Sequence, residues 1–137
     1  MELIRRNTEY AIRALVHLAT CEGEVVSAKE IAGAQDIPVE FLQKILQRLV
    51  RARLVVSHRG KQGGFSLARK PGEVSLLEVV TTIQGQPAAN KCFLGRDGCE
   101  RAASCRLKQN WLALEQKVNE FLADITLQDL ADQIHGK

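Results

Sequence analysis

Apolar positions recur at spacings of three and four from the first ten residues onward. Ala11, Leu15, Leu18 and Ala19, joined by Ile12 and Val16, predict a helix from about Thr8 to Cys21. Ser27-Ala-Lys-Glu30 then reads as a capping box, with the serine oxygen taking an early helical N–H, and opens a short helix to about Ala34. Pro38 suits the first turn of a third helix that runs to about Ala52. Its apolar set is Phe41, Leu42, Ile45, Leu46 and Leu49; its other face is Glu40, Gln43, Lys44, Gln47, Arg48 and Arg51. One side packs inward and the other presents amides and cations to solvent.

The period then changes to that of strands. Leu54–His58 and Phe65–Ala68 are β-prone runs around a turn that holds Gly60, Gly63 and Gly64, the residues a tight hairpin needs. A second capping box, Ser75-Leu-Leu-Glu78, starts a helix ending near Gly85. Further on, Leu107, Trp111, Leu114, Val118, Phe121 and Ile125 step alternately by four and three. This heptad-like seam, widened by Leu112 and Leu122, predicts a long helix suited to pairing with a second copy, or to covering its own domain. Thr126 is placed to cap a last helix over Leu127–Ile134.

The pattern predicts a mainly α fold with a small β-hairpin: a winged helix-turn-helix domain plus a long C-terminal dimerisation helix. Residues 1–84 form the DNA-binding unit, 85–106 a cysteine-containing loop, and 107–137 the dimerisation and C-terminal helices. A chain of 137 residues with 45% hydrophobic content can bury its own core without disulfide staples. No apolar run is long enough to span a membrane, and Glu9 and Arg13 interrupt any leader-like stretch. A cytoplasmic location is the expectation.

Charge sharpens the picture. The net charge is +3, but residues 1–70 carry twelve Lys/Arg against seven Asp/Glu, and residues 71–137 carry seven against nine. A basic N-terminal half favours an anionic partner with nucleic acid the leading candidate, and the winged-helix plan makes that double-stranded DNA. Gln43, Lys44, Gln47 and Arg48 are side-chain types that read base edges in the major groove, and Glu40 can accept from a cytosine amino group. Arg59, with Gly60 and Lys61 at the wing tip, suits a narrow minor groove. The plainer alternative pairs Arg48 or Arg51 with Asp36 or Glu40. An enzyme is not expected: His17, His58 and His135 stand in no motif with a nucleophile, and no phosphate-binding glycine loop follows a strand.

Three of the four cysteines fall in KCFLGRDGCERAASCRL, where six residues separate Cys92 from Cys99 and five separate Cys99 from Cys105. In a reducing compartment such a cluster points to metal rather than to disulfides. Soft thiolates suit zinc or an iron–sulfur cluster, and the wide gaps fit the larger cofactor better than the narrow pairs that pinch one zinc ion. Cys21, at the end of the first helix, reads as a small buried hydrophobe.

RRNTEYAIRALVHLA, the wing SHRGKQGGFSLAR and the three-cysteine loop before a long helix together resemble the IscR/NsrR/RirA-type family of winged-helix transcription regulators. The resemblance covers essentially the whole chain. It implies a homodimer crossed through the long C-terminal helix, with one iron–sulfur cluster, 4Fe-4S or 2Fe-2S, per subunit. Cys92, Cys99 and Cys105 match the family cysteines, and Arg59 matches an operator-contacting wing arginine. The iron–sulfur assembly regulators of the family carry a histidine three residues after the last cysteine, where this chain has Lys108. The nitric-oxide sensors instead use a carboxylate from the first helix of the partner, and Glu9 stands at the matching position. The first cysteine gap is one residue longer than in those two subgroups. A zinc-stabilised or cluster-free winged-helix dimer is the alternative.

Overall fold

The apolar stripes of the first and third helices meet in one core. The computed structural model describes residues 4–85 and 106–136. Helix α1 (Arg6–Thr20) buries Ala11, Ala14, Leu15 and Leu18; α2 (Ala28–Gln35) buries Ile31 and Ala32; α3 (Val39–Arg51) buries Leu42, Ile45, Leu46 and Leu49. All belong to one apolar cluster with Val26, Ile37, Leu54 and Val55. Ser27 accepts from the Glu30 N–H at 3.1 Å, so the first capping box opens α2 as expected. Asp36 ends α2 in the left-handed region at φ 54°. Pro38 stands at the N-cap of α3, one position before the helix proper.

Phe41 departs from the expected pattern. It is 54% exposed, although its neighbours Leu42 and Ile45 are buried. At about 100° per residue it lies a quarter-turn off the middle of the Leu42–Ile45–Leu46–Leu49 arc, at the edge of the apolar stripe.

Strands β1 (Val55–His58) and β2 (Gly64–Leu67) pair antiparallel, with Val55 opposite Leu67 and His58 opposite Gly64. His58 Nε2 and Ser66 Oγ lie 2.8 Å apart across the pair. The wing is also fastened to the body, because Val26 and Phe65 exchange both backbone hydrogen bonds, at 2.9 and 2.7 Å. Gly64 makes this approach possible: a Cβ there would lie 2.4 Å from the Val26 carbonyl oxygen.

A 3-10 turn (Pro71–Glu73) leads to α4 (Leu76–Gln84), capped by Ser75, which accepts from the Glu78 N–H at 3.1 Å. Helix α5 (Arg106–Asp124) packs on α4, and α6 (Leu127–Gly136) returns to α1 and the 3-10 turn. Thr126 and Asp129 cap α6 reciprocally, each accepting the other's backbone N–H. The Leu76 N–H donates to the Ile125 carbonyl at 2.7 Å and the Leu127 N–H to the Val74 carbonyl at 3.0 Å. Leu127 and Ala131 of α6 therefore join the core of the N-terminal helices.

Two glycines separate space from conformation. Gly64→Ala is expected to lower folding stability by about 1–3 kcal/mol, because the clash is with backbone. Gly33→Ala, at an exposed position of α2 with nothing within 4 Å of the added Cβ, is expected to raise it by about 0.5–1 kcal/mol. Urea denaturation midpoints of the two variants check both signs.

Candidate nucleic-acid interface

Burial of one face of α3 forces the opposite face outward. Glu40, Gln43, Lys44, Gln47, Arg48 and Arg51 are all exposed and line a shallow depression of about 600 Å³ along the helix. Among the described residues, the side chains of Glu40, Gln43, Lys44, Gln47 and Arg51 form no hydrogen bond or ion pair. The alternative pairings with Asp36 or Glu40 do not form, so these donors face water.

Arg48 behaves differently. Its Nη2 donates to the Ile83 carbonyl at 2.6 Å and lies 3.4 Å from the Thr82 carbonyl. Both acceptors are in the last turn of α4, where carbonyls lack helical partners.

The wing tip brings Arg59, Gly60 and Lys61 to the surface, all exposed. Gly60 takes φ 111°, and its carbonyl accepts the Gly63 N–H at 3.0 Å, closing the turn. From Glu40 to Lys61 the chain carries Lys44, Arg48, Arg51, Arg53, Arg59 and Lys61 against the single carboxylate of Glu40. Sequence reasoning passed over Arg53, exposed just after α3 at φ 64°; its signal was its place within this uninterrupted run of cations. An outward helix face of amides and cations, together with a basic hairpin tip, matches the charge of duplex DNA.

Cys92, Cys99 and Cys105 lie outside the described residues, but both flanks of their segment are described. On one side Gln84 Oε1 accepts from the Arg5 N–H at 3.0 Å and from the Thr8 hydroxyl at 2.6 Å, and Thr8 is fully buried. The start of α1 and the last turn of α4 are thereby joined where the cysteine segment departs. On the other side, Arg106 begins α5. Glu9 sits in the first turn of α1 with its side chain 60% exposed, 3.6 Å from the Arg13 guanidinium. Cys21 is half-buried, and burial pushes its thiol up from the ordinary value, with Glu30 and Glu24 adding to the effect and a hydrogen bond from Thr20 opposing it. It stays a protonated thiol at neutral pH. Among the described residues no group of three or more His, Cys, Asp or Glu is placed to hold a metal. The chemistry of Cys92, Cys99 and Cys105, three soft donors, fits an iron–sulfur cluster or zinc.

Along the C-terminal seam, Trp111, Leu114, Val118 and Ile125 are half-buried, Leu122 is buried, and Phe121 and Leu112 are 66% and 52% exposed. The side chain of Leu107 lies outside the described residues. Helix α5 covers α4 with part of its apolar surface and leaves the rest open.

The family model described as Rrf2, iron-dependent transcriptional regulator, matches residues 4–133. The chain belongs to the Rrf2 family. An IscR transcriptional regulator of Sodalis glossinidius is 32% identical over 122 residues, which span 88% of this chain and 73% of that protein. A candidate HTH-type transcriptional regulator of Mycobacterium tuberculosis (strain H37Rv) is 40% identical over 124 residues, 90% of this chain and 77% of its own length. Among solved structures, CymR, the global cysteine regulator of B. subtilis, superposes with TM-score 0.80 at 25% identity over 97% of this chain and 98% of that one. T. potens IscR follows with TM-score 0.74 at 28% identity, covering 96% and 87%. These relatives are regulators of transcription rather than enzymes. This Rrf2 chain is a winged-helix transcriptional regulator, and no helix among its described residues is long and apolar enough to cross a membrane.

The exposed faces give separable expectations. Gln47→Ala should cost about 1–3 kcal/mol of binding and relax discrimination at one base pair. Arg59→Ala should weaken binding to every sequence and make the dependence of log K on log salt shallower by about one. Fluorescence anisotropy on a selected duplex and its single-base variants reads both.

Proposed function

We propose that this Rrf2 regulator is a homodimeric repressor whose hold on operator DNA is set by an iron–sulfur cluster. The cluster would report iron–sulfur status, iron, nitric oxide or redox state. The observation that carries the reading is that the chain leads to the three cysteines from the last turn of α4, a turn bonded to both α1 and α3. The names of the IscR relatives and the iron-dependent description of the family agree with it.

Cys92, Cys99 and Cys105 would hold the cluster, with Glu9 of a second subunit as the fourth ligand. The cluster would supply a labile, redox-active iron site, since a carboxylate is a harder and more readily exchanged ligand than a thiolate. The chain's own residues do the rest. Gln43, Lys44 and Gln47 reach base edges, with Glu40 selecting against mismatched ones. Arg51, Arg59, Gly60 and Lys61 approach phosphates and the minor groove. The open apolar surface of α5, with Leu107, Trp111, Leu114, Val118, Phe121 and Ile125 along its seam, pairs two copies. Two copies place two reading helices one helical turn of DNA apart, ~34 Å. A reducing cytoplasm keeps the thiols available as ligands.

Zinc is the second reading, because the same thiols suit it. Purification without oxygen separates the two. The proposal expects brown protein with matching iron and sulfide that binds a selected duplex with strong salt dependence. Colourless protein with stoichiometric zinc would make the metal structural, and absence of duplex binding would contradict the proposal as a whole. Phe121→Glu is expected to convert the dimer to monomer in light scattering and to lower operator affinity at least tenfold.

A further inference from the structure

Arg48 carries the polar-face spacing of a base reader, yet its guanidinium is already engaged by backbone carbonyls of the same chain. It lies in the last turn of α3, whereas helix-turn-helix modules read bases chiefly with the N-terminal residues of the recognition helix. Its Nη2 caps the carbonyls of Thr82 and Ile83. Helix α4 has no basic residue of its own in its last turn, so Arg48 provides the cation that the negative end of that helix favours. The neighbouring Gln84 holds the first turn of α1 through Arg5 and Thr8. Gly85, at φ 87°, ends α4, and the next residues lead to the cysteines.

We infer that Arg48 is a positioning residue: it fastens the DNA-reading helix to the last turn of α4 and makes the placement of that helix depend on the segment that follows Gly85. The inference rests on the proposed function, since it takes α3 as the reader and the cysteine segment as the sensor. A positioning role differs from the two roles Arg48 would have at the DNA surface. A phosphate contact adds to the salt dependence of binding, and a base contact adds to discrimination at one position. A clamp between helices does neither; it sets the fraction of molecules whose reader is correctly placed, so its loss lowers affinity for every sequence by one factor.

The experiment uses the full-length protein purified without oxygen and a duplex selected from a random pool by the wild type. Affinities are measured by anisotropy across a salt series, on the selected duplex and its single-base variants, for wild type, Arg48→Gln and Arg48→Lys. Each is repeated in a Cys99→Ser background. Arg48→Gln should bind about tenfold more weakly on all duplexes alike, the scale of one lost charge-assisted hydrogen bond, with the salt slope unchanged. Arg48→Lys, whose ammonium can still cap a carbonyl, should recover part of the loss. The affinity ratio between intact and Cys99→Ser protein should collapse toward one when Arg48 is Gln. Thermal melting and stoichiometric titration with the selected duplex separate these effects from loss of folded protein.

A salt slope shallower by about one, or lost discrimination at a single base pair, would overturn the inference by returning Arg48 to the DNA surface. An unchanged Cys99-dependent ratio in Arg48→Gln would overturn its link to the cysteine segment. If wild type and Cys99→Ser bind alike, the sensing reading fails and takes that link with it. A wild type that selects no duplex contradicts the proposed function instead.

Discussion

Helix α3 can bury its apolar residues in only one orientation, and the rest of the molecule follows from that constraint. Leu42, Leu46 and Leu49 are fully enclosed and Ile45 nearly so. Each Leu side chain contributes on the order of 2 kcal/mol on leaving water, far more than any rotation of the helix could recover by solvating its polar side differently. The amides and cations on the opposite face are therefore fixed in direction without needing partners of their own. The hairpin is fixed by a second constraint of the same kind. Its β2 strand is bonded to Val26 through an approach that only a glycine at 64 permits, which ties the wing to the segment leading into α2.

The local features were legible because their causes are local. Ser27 and Ser75 each sit three residues before a glutamate at the head of an apolar run, and both cap their helices as that spacing implies. The hairpin followed from glycines between two β-prone runs. What escaped the sequence depended on groups far apart in the chain. Nothing near Val26 announces its pairing with Phe65, and nothing near Leu127 announces that α6 closes over α1. Phe41 was counted as core because it is apolar and adjacent to core positions, but its angle on the helix leaves it outside. Arg48 lies on the outer face as its spacing implies, but its acceptors, carbonyls thirty-four and thirty-five residues away, are not announced by anything near it in the sequence.

The junction at the end of α4 connects these levels. Gln84 binds the start of α1, Arg48 of α3 binds the carbonyls of Thr82 and Ile83, and the sequence then leads to the three cysteines. Fold alone does not define the signal, since a global cysteine regulator and an IscR protein share this architecture with similar TM-scores. The distinguishing chemistry of this chain lies in its donor set, with Lys108 in place of the histidine expected of an assembly regulator and Glu9 on α1. Under the proposed function, Glu9 would give the cluster one exchangeable ligand.

The most direct measurement is hydroxyl-radical footprinting of the full-length protein on its selected duplex. The account predicts two protected patches about one helical turn apart, ~10 bp centre to centre, each flanked by minor-groove protection from a wing. A single unflanked patch, or protection that does not repeat at the helical spacing, would contradict it.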